Sequence, residues 1–372
     1  MKIGIDGRAA YWYRGTGIGT YTYELIYSLS KFNKEEFIIY SPKDTIAKCY
    51  KNSNLKYKYI NQYSKNIFWE DVNNPIYINN DVSIFHTPQN GIGSPFKEDC
   101  KNIITLHDII PSRMPETVSD CYMNIYRKEM PRILEKTNGI ITVSQFSKND
   151  IIKEFNFPKE KIFVTHLANE HIYKRLDTKK CKSILKNEYS ILGNYILYVG
   201  GFSPRKNILG LINAYSMYIA QCPNSNTKLL IVGHKGKSYS IYKQRVEKLH
   251  LSDKVIFTGY IPVKHMPIFY NAAKVLVYPS FYEGFGLPPL EAMSCGIPIV
   301  SSNVTSIPEI IGDAAHYINP YNTDELFLAI KEVLNNNELR NKLVKRGFEK
   351  CKEYTWKKTA QKTLDAYKSL CT

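Results

Sequence analysis

Residues 278–302, YPSFYEGFGLPPLEAMSCGIPIVSS, decide the fold predicted for the chain. The apolar run at 274–280 that leads into this stretch, KVLVYPS, is typical of a buried strand. Two glycines then interrupt the strand, and a Pro-Pro pair suits the first turn of a helix that continues through LEAMSCG. The stretch therefore predicts a strand, a tight loop and a helix, with Glu283 in the loop and Glu291 about one turn inside the helix.

The two glutamates flank a predicted helix N-terminus, and this pairing indicates what the segment binds. Backbone N–H groups at a helix N-terminus favour an anionic ligand such as a diphosphate. Carboxylates accept hydrogen bonds from paired hydroxyl groups such as those of a sugar or a ribose. The pattern therefore predicts a site for a polyol joined to a phosphate. The plain alternative is a helix-capping glutamate together with a solvated one.

The same alternation of strands and helices extends over the whole chain. Apolar runs such as KIGID at 2–6 and NIITLHDII at 102–110 are followed by segments with helical periodicity. Strands separated by helices predict an α/β fold with parallel, doubly wound sheets. In such sheets ligands lie at the carboxyl ends of the strands, which is where the glutamate segment begins.

A length of 372 residues exceeds the usual size of one hydrophobic core and predicts two domains. Their expected bounds are 1–170 and 190–354, with a polar, lysine-rich connection at about 170–192. Two similar halves side by side are expected to leave a cleft between them. A final helix at about 355–372 is expected to pack back on the first domain.

Composition narrows the class of protein. Apolar residues make up 44% and charged residues 23% of the chain, as in ordinary globular proteins, and no apolar run is long enough to span a membrane. The N-terminus lacks a secretory signal and the eight cysteines are scattered singly, so we expect a cytoplasmic chain with reduced thiols and no zinc site. The net charge of +16 indicates either a surface that attracts phosphates or compositional drift.

A second glycine loop, GGFSPRKN at 200–207, follows a predicted strand and opens a helix. Its glycines let the backbone approach a ligand, while Arg205 and Lys206 place positive charge at a helix start, where cations are disfavoured. An anionic partner would remove that penalty, so the loop predicts a phosphate site, although it lacks the spacing of an ATPase loop. Gly259 and Tyr260 end another strand, where the backbone could meet the edge of a nucleobase.

The first predicted domain has its own glycine loop, GTGIG at 15–19, which contains Gly17 and Gly19. Its spacing differs from the dinucleotide pattern G-x-G-x-x-G, and the acid that a nicotinamide site needs comes late, at Asp44. The spacing therefore favours a loop that closes over a phosphate or a sugar. A nicotinamide-dependent oxidoreductase or sugar epimerase is the alternative function.

His107 stands at the end of a predicted strand beside Asp108 and is the candidate catalytic residue of this half, with His86 as a plain competitor. Farther along, the helix at 122–134 mixes tyrosines with arginines and lysines. That mixture suits contact with an anionic membrane surface. It suits equally an ordinary packed helix with a basic exposed side.

Together these segments resemble the family 4 retaining glycosyltransferases (glycosyl transferases group 1), in particular a mannosyltransferase-like subgroup with the GT-B fold. The motifs that carry the resemblance are GTGIGTY, TLHDIIPSRMPE, VSQFSK, YVGGFSPRKN, EGFGLPPLEAMSCGIPIVSS and IPEIIGDAA. The resemblance covers essentially the full length. It implies two Rossmann-like domains facing across a cleft, the second binding a nucleotide-diphosphate sugar and the first an acceptor.

The resemblance implies roles for individual residues of the second domain. Lys206 and Arg205 would hold the diphosphate of the donor. Glu283 would contact the hydroxyls of the donor sugar, and Glu291 would take those of the ribose. Backbone N–H groups that meet the sugar and the phosphates would come from Phe285, Gly286 and Leu287.

In the first domain, the resemblance implies that Gly17 and Gly19 approach the diphosphate and that His107 lies near the reaction centre. The expected catalytic residues are His107, Lys206 and Glu283. One position departs from the family pattern, because many relatives have an arginine where Phe202 stands. Either Arg205 alone supplies the arginine that binds the diphosphate here, or an arginine at position 202 is dispensable for binding it.

The implied reaction retains configuration and needs neither a metal ion nor a cofactor, because basic side chains and a helix N-terminus neutralise the diphosphate. The donor is expected to be a GDP- or UDP-linked hexose, with mannose favoured. The acceptor is expected to be a glycan or a lipid-linked oligosaccharide of surface polysaccharide or glycolipid synthesis. We expect a cytoplasmic enzyme, peripheral on the inner face of the membrane, with no nucleic acid as partner.

Overall fold

The computed structural model of the chain describes residues 1–32, 34–42, 54–65, 67–78, 82–236 and 238–371. Asp44, which enters the nicotinamide alternative, lies outside these described residues. The chain divides into two compact units. The first consists of Met1–Ala168 with Thr355–Thr372, and the second of Asn169–Tyr354.

The first unit is built on a parallel sheet. Its strands within the described residues are β1 (Lys2–Asp6), β2 (Glu36–Pro42), β3 (Leu55–Ile60), β4 (Ile84–Thr87), β5 (Lys101–Thr105), β6 (Gly139–Thr142) and β7 (Ile162–Val164). They lie in the order β3-β2-β1-β4-β5-β6-β7, and each neighbouring pair is parallel. This is the doubly wound order that the alternation of strands and helices predicts.

Helices connect these strands and cover the sheet. Those described in the first unit are α1 (Arg8–Trp12), α2 (Gly17–Leu29), α3 (Phe68–Asn73), α4 (Ile110–Arg113), α5 (Asp120–Lys136), α6 (Gln145–Phe155) and the C-terminal α15 (Trp356–Cys371). Because both faces of a parallel sheet are covered, its central strands β1, β4, β5 and β6 are buried almost throughout. Ile3, Ile104 and Ile140 are accordingly fully buried.

The C-terminal helix α15 packs on the first unit, against α2 and strands β5, β6 and β7. Ala360, Leu364 and Tyr367 recur at helical spacing and form its buried face. Thr359 donates its hydroxyl proton to the carbonyl oxygen of His166 at 2.6 Å. The end of the chain is thereby fixed to the loop that follows β7.

The second unit is a separate parallel sheet with its own helices. Its described strands are β8 (Tyr195–Val199), β9 (Lys228–Val232), β10 (Val255–Gly259), β11 (Val275–Tyr278), β12 (Ile299–Ser302) and β13 (His316–Ile318), in the order β10-β9-β8-β11-β12-β13. Its described helices are α7 (Thr178–Tyr189), α8 (Ile208–Gln221), α9 (Tyr239–Lys248), α10 (Met266–Ala272), α11 (Leu287–Cys295), α12 (Ile307–Ile311), α13 (Thr323–Asn335) and α14 (Asn337–Cys351).

The interpretation of residues 170–192 as a connection is wrong for most of that stretch, because α7 belongs to the second unit. Cys181 and Leu185, four residues apart, are buried, and α7 packs against α10. The carboxylate of Asp177 caps the helix by accepting a hydrogen bond from the backbone N–H of Lys180 at 2.8 Å. Because lysines surround these two apolar residues, the composition of the stretch did not indicate a helix with a buried face.

Helix α5, considered above for membrane contact, buries its aromatic residues in the first unit. Tyr122 stacks on Trp69 with ring centroids 3.8 Å apart, and the Tyr126 hydroxyl lies 2.9 Å from that of Ser112. The tyrosines are therefore core residues, and the packed-helix alternative describes them correctly. The basic side chains stay exposed at Arg127, Lys128 and Arg132. No helix within the described part of the chain has the length and apolar character needed to cross a bilayer.

Candidate functional site

The segment that carries the two glutamates folds as a strand, a loop and a helix. Strand β11 ends at Tyr278, and Gly286 precedes α11 with a φ of 103°, a left-handed conformation that favours glycine. Pro288 and Pro289 occupy the first turn and have no N–H group. The backbone donor at the very start of the helix is therefore that of Leu287, and its role toward a sugar or phosphate stays a prediction.

Glu283 lies between two cations supplied by a 3-10 turn at Pro204–Lys206. The Nζ of Lys206 is 2.5 Å from Oε1 of Glu283, and Nη1 of Arg205 is 2.9 Å from Oε2. Lys206 also donates to the hydroxyl of Tyr278 at 3.0 Å, and Arg205 to the carbonyl of Tyr282 at 2.8 Å. The structure thus brings together three side chains that the sequence analysis assigned to one site.

The cluster of Arg205, Lys206 and Glu283 carries one net positive charge in a buried setting. Burial raises the pKa of the Glu283 carboxyl, but the charges of Arg205 and Lys206 and the hydrogen bond from Lys206 outweigh it, so that the pKa falls to about 2. Glu283 is therefore ionised at neutral pH. The second cation leaves positive charge available to an anionic ligand.

Two further residues, which the sequence analysis missed, fix the backbone around Glu283. The Oγ1 of Thr305 accepts a hydrogen bond from the Glu283 N–H at 3.2 Å. The hydroxyl of Ser306 is within hydrogen-bonding distance of two carbonyl oxygens, 2.8 Å from Glu283 and 3.2 Å from Phe285. The turn before α12 therefore orients the loop that begins α11. These two residues directly precede IPEIIGDAA, a motif quoted above without a role.

Glu291 lies on α11, where two tyrosines contact its carboxylate. The Tyr270 hydroxyl donates to Oε2 at 2.6 Å, and Tyr173 interacts electrostatically with the same carboxylate. Burial raises the pKa of the Glu291 carboxyl to about 7, against the interactions with the two tyrosines that lower it, while the charge of Glu170 raises it further. This environment differs sharply from that of Glu283.

Glycines stand at the carboxyl ends of three adjacent strands in the second unit. Gly200 follows β8, Gly233 follows β9, and Gly259 ends β10 with a φ of 77°. A Cβ on Gly233 would lie 1.9 Å from the carbonyl oxygen of Gly200, so this crossing of backbones needs glycine. Tyr260, predicted to lie near a nucleobase, is exposed.

Phe202, which departs from the family pattern, is a core residue. It is buried and packs against the rings of Tyr239, Tyr242 and Phe257, with ring centroids about 6 Å apart in each pair. An arginine in this apolar cluster would have to leave it or lose its hydration. Within the described residues, the guanidinium paired with Glu283 is that of Arg205, and the choice between the two alternatives stays open.

The two predicted glycines of the first unit differ in what surrounds them. The Oγ1 of Thr16 caps α2 by accepting from the Gly19 N–H at 3.1 Å. A Cβ on Gly19 would lie 1.9 Å from the carbonyl oxygen of Tyr13, so glycine is required there for packing. A Cβ on Gly17 would meet no atom within 4 Å. Only Gly17 therefore leaves room for a ligand.

His107 is buried and held in one orientation. Its Nε2 donates to the carbonyl oxygen of Pro88 at 3.0 Å, which leaves Nδ1 as the acceptor of the neutral ring. Its backbone N–H donates to Asn90 at 3.1 Å, and its ring meets that of Tyr21 edge-on at 4.8 Å. Burial lowers the pKa of His107 to about 4, so the ring is neutral at pH 7.

His86, the plain competitor, is a structural residue. Its Nδ1 lies 2.7 Å from the Tyr367 hydroxyl of α15, and its Nε2 lies 2.7 Å from the hydroxyl of Thr105. Thr105 in turn lies 2.8 Å from the Tyr21 hydroxyl. Burial lowers the pKa of His86 to about 3. Both ring nitrogens are therefore occupied by partners within the fold.

Metal binding was also considered. Within the residues that the structure describes, no three side chains of His, Cys, Asp or Glu gather closely enough to hold a metal ion. The expectation of a reaction without metal or cofactor stays a prediction.

Comparison with known proteins gives a consistent result. A family model described as glycosyl transferases group 1 matches residues 186–350. The chain is 36% identical over 268 residues to the O-antigen chain mannosyltransferase B of Escherichia coli, covering 72% of this chain and 70% of that protein. It is 27% identical over 281 residues to the serotype-specific mannosyltransferase WbdA of Escherichia coli, covering 73% of this chain and 34% of that protein.

A solved structure is similar over the whole length. The Anabaena protein Alr3699/HepE, in complex with UDP and glucose, matches with a TM-score of 0.76 at 16% identity, covering 99% of this chain and 100% of that chain. At this identity the likeness concerns the fold alone. The predicted fold class, α/β with two parallel doubly wound sheets, is confirmed.

Proposed function

This chain belongs to the glycosyl transferases group 1 family and is a glycosyltransferase of the GT-B fold, and from that premise we propose that it moves a hexose from a nucleotide-diphosphate sugar to a glycan or lipid-linked acceptor. Family membership decides against the alternative of a nicotinamide-dependent oxidoreductase or epimerase. The observation that carries the proposal is the buried cluster of Arg205, Lys206 and Glu283 beside the first turn of α11.

The cluster supplies the charges that such a donor needs. Lys206 and Arg205 would bind the diphosphate, because their combined charge exceeds that of Glu283 and the start of α11 adds partial positive charge. Glu283, ionised and held by its backbone, would accept hydrogen bonds from the hydroxyls of the transferred sugar. Glu291 would accept those of the ribose.

We propose that the reaction retains configuration at the anomeric carbon. The leaving diphosphate itself would take the proton of the acceptor hydroxyl, so that no carboxylate of the enzyme attacks. Negative charge develops on the diphosphate as its bond to the sugar breaks, and Lys206 and Arg205 would stabilise that charge. The roles of His107, Gly17 and Gly19 stay predictions from the family resemblance.

The names of the relatives favour mannose as the transferred sugar and a surface polysaccharide as the product, because two of them are O-antigen or serotype-specific mannosyltransferases. We propose GDP-mannose as the first donor to test, with UDP-linked hexoses next. A lipid-linked acceptor would place the enzyme at the inner face of the membrane. The exposed Arg127, Lys128 and Arg132 of α5 would then attract anionic lipid.

A donor screen tests the proposal. Nucleotide release is measured with GDP-mannose and each common UDP-hexose, in the presence of free or lipid-linked oligosaccharide, and NMR determines the anomeric configuration of the product. We expect one donor to be used far above the others, with configuration retained. Binding of NAD but of no nucleotide sugar would contradict the proposed donor. A product with inverted anomeric configuration would contradict the proposed stereochemistry.

A further inference from the structure

Glu291 is held by contacts that the family resemblance does not describe. Tyr270, fully buried on α10, donates its hydroxyl proton to Oε2 of Glu291 at 2.6 Å. Tyr173, also buried, interacts electrostatically with the same carboxylate from the segment that precedes α7. The two rings meet edge-on with centroids 5.7 Å apart. Two phenols from separate parts of the second unit thus converge on one carboxylate.

The two tyrosines are also tied to each other through the backbone. Asn271, next to Tyr270, accepts a hydrogen bond from the Leu176 N–H at 2.7 Å and donates to the Lys174 carbonyl at 3.0 Å. The hydroxyl of Thr178 adds a bond to the Asn271 carbonyl at 3.2 Å. The segment that bears Tyr173 is therefore fixed on the helix that bears Tyr270.

We propose that Tyr173 and Tyr270 are positioning residues that hold the Glu291 carboxylate for the ribose hydroxyls of the donor, and so set the preference for a ribonucleotide. This inference rests on the proposed function, in which Glu291 binds the ribose. An ionised carboxylate offers about four lone-pair sites to donors. The Tyr270 phenol occupies part of that capacity, the Tyr173 ring packs edge-on against it, and the remaining sites would be left for a diol.

The phenols also favour the charged form of the carboxylate. Burial raises the pKa of Glu291 to about 7, the interactions with Tyr270 and Tyr173 lower it, and the charge of Glu170 raises it. Cys295, on the same helix as Glu291, is the other titratable group that interacts with it. Loss of one phenol removes a donor to the charged form, so that a larger share of Glu291 is protonated at pH 7 and loses acceptor capacity.

The test compares ribonucleotides with their 2′,3′-dideoxy counterparts. Calorimetry gives the affinities of GDP, UDP and the two dideoxy nucleotides for the wild type, Tyr270→Phe, Tyr173→Phe and Glu291→Ala. We expect the wild type to prefer the ribose form by roughly 10- to 100-fold and Glu291→Ala to lose that preference. Each phenylalanine variant should lower the ratio roughly three- to tenfold while its affinity for the dideoxy form stays within about twofold.

Two controls separate positioning from general damage. Tyr215→Phe removes another buried phenol of the same unit, one that donates to the Thr227 carbonyl at 2.8 Å, and should leave the ratio unchanged. In the Glu291→Ala background, Tyr270→Phe should have no further effect on the ratio. As pH falls through about 7 the ratio should decline in the wild type, and in Tyr270→Phe the decline should begin at higher pH.

The outcomes distinguish the two proposals. Equal losses for ribose and dideoxy forms in both phenylalanine variants would show a structural role only and overturn the positioning role. An unchanged ratio in both variants would overturn it as well. Should the wild type bind neither GDP nor UDP, the proposed function would fail and this inference with it. Each tyrosine is tested in its own variant. If one variant does not fold, the other variant still tests the positioning role.

Discussion

The Nζ of Lys206 lies 2.5 Å from Oε1 of Glu283, and Nη1 of Arg205 lies 2.9 Å from the other oxygen of the same carboxylate. One carboxylate is thus shared between two cations. A diphosphate that approached Lys206 and Arg205 would compete with Glu283 for the same donors. The diphosphate would therefore share the two cations with Glu283, and the hydroxyls of the transferred sugar would offer Glu283 other hydrogen-bond donors.

Substitution of Lys206 by alanine should lower turnover by roughly a hundredfold or more, because it removes a cation aimed at the charge that develops on the leaving diphosphate. The measurement is kcat for nucleotide release with the preferred donor. Lys248→Ala, which removes an exposed lysine of the same unit, is the matched control and should keep wild-type kcat. Activity of Lys206→Ala within a few-fold of wild type would exclude this role.

Glu283→Gln should separate binding of the sugar from binding of the nucleotide. The substitution keeps the shape of the side chain but removes the charge that holds Lys206 and Arg205. We expect weaker binding of the nucleotide sugar, and binding of the free nucleoside diphosphate that is unchanged or tighter, since the competing carboxylate is lost. Calorimetry with GDP and GDP-mannose measures both. An equal loss for the two ligands would indicate a purely structural glutamate.

Much of this site follows from the local order of residues. A strand, two glycines and a Pro-Pro pair are enough to predict the loop of Glu283 and the start of α11, because glycine permits the left-handed φ at Gly286 and the pyrrolidine ring fixes φ at the prolines. Arg205 and Lys206 are predicted as ligand-binding because two cations at a helix start are otherwise disfavoured.

The partners of these residues could not be predicted, because they come from distant parts of the chain. Tyr278 lies 72 positions from Lys206, and Tyr270 lies 21 positions from Glu291. The chain contains 29 tyrosines, and apolar periodicity indicates which are buried but not which atom a hydroxyl meets. For the same reason α7, with two buried residues among lysines, was taken for a connection.

The two loop glycines of the first unit should respond differently to alanine. Gly19→Ala places a methyl group on the carbonyl of Tyr13 and should lower the free energy of unfolding by about 1–3 kcal/mol. Gly17→Ala meets no atom within 4 Å and should leave stability within about 0.5 kcal/mol, while raising KM for the donor if a phosphate approaches there. Urea unfolding and donor kinetics test the pair. Equal destabilisation would contradict this packing argument.

The hydrogen bond between His86 and Tyr367 should stabilise the attachment of the C-terminal helix. Tyr367→Phe leaves Nδ1 of His86 without its partner at 2.7 Å in a fully buried position, which costs about 1–3 kcal/mol. The free energy of unfolding in urea is the measurement. Tyr63→Phe removes the hydroxyl of a tyrosine that is 89% exposed and serves as control. If Tyr367→Phe lowers the free energy of unfolding no more than Tyr63→Phe does, the hydrogen bond makes no net contribution to stability.

His107 should act as a neutral ring at every pH at which the enzyme works. Burial lowers the pKa of His107 to about 4 from an ordinary value near 6.5, so the ring is protonated completely only well below pH 4. Titration of His107 should therefore not change kcat between about pH 5.5 and 8. His107→Gln preserves a donor toward the Pro88 carbonyl yet removes the ring nitrogen Nδ1, and we expect a fall in kcat of roughly tenfold or more. His86→Gln, at the other buried histidine, controls for lost packing. A wild-type pH profile with an acid limb near pH 6.5 that disappears in His107→Gln would show instead that this imidazole is solvated and charged during turnover.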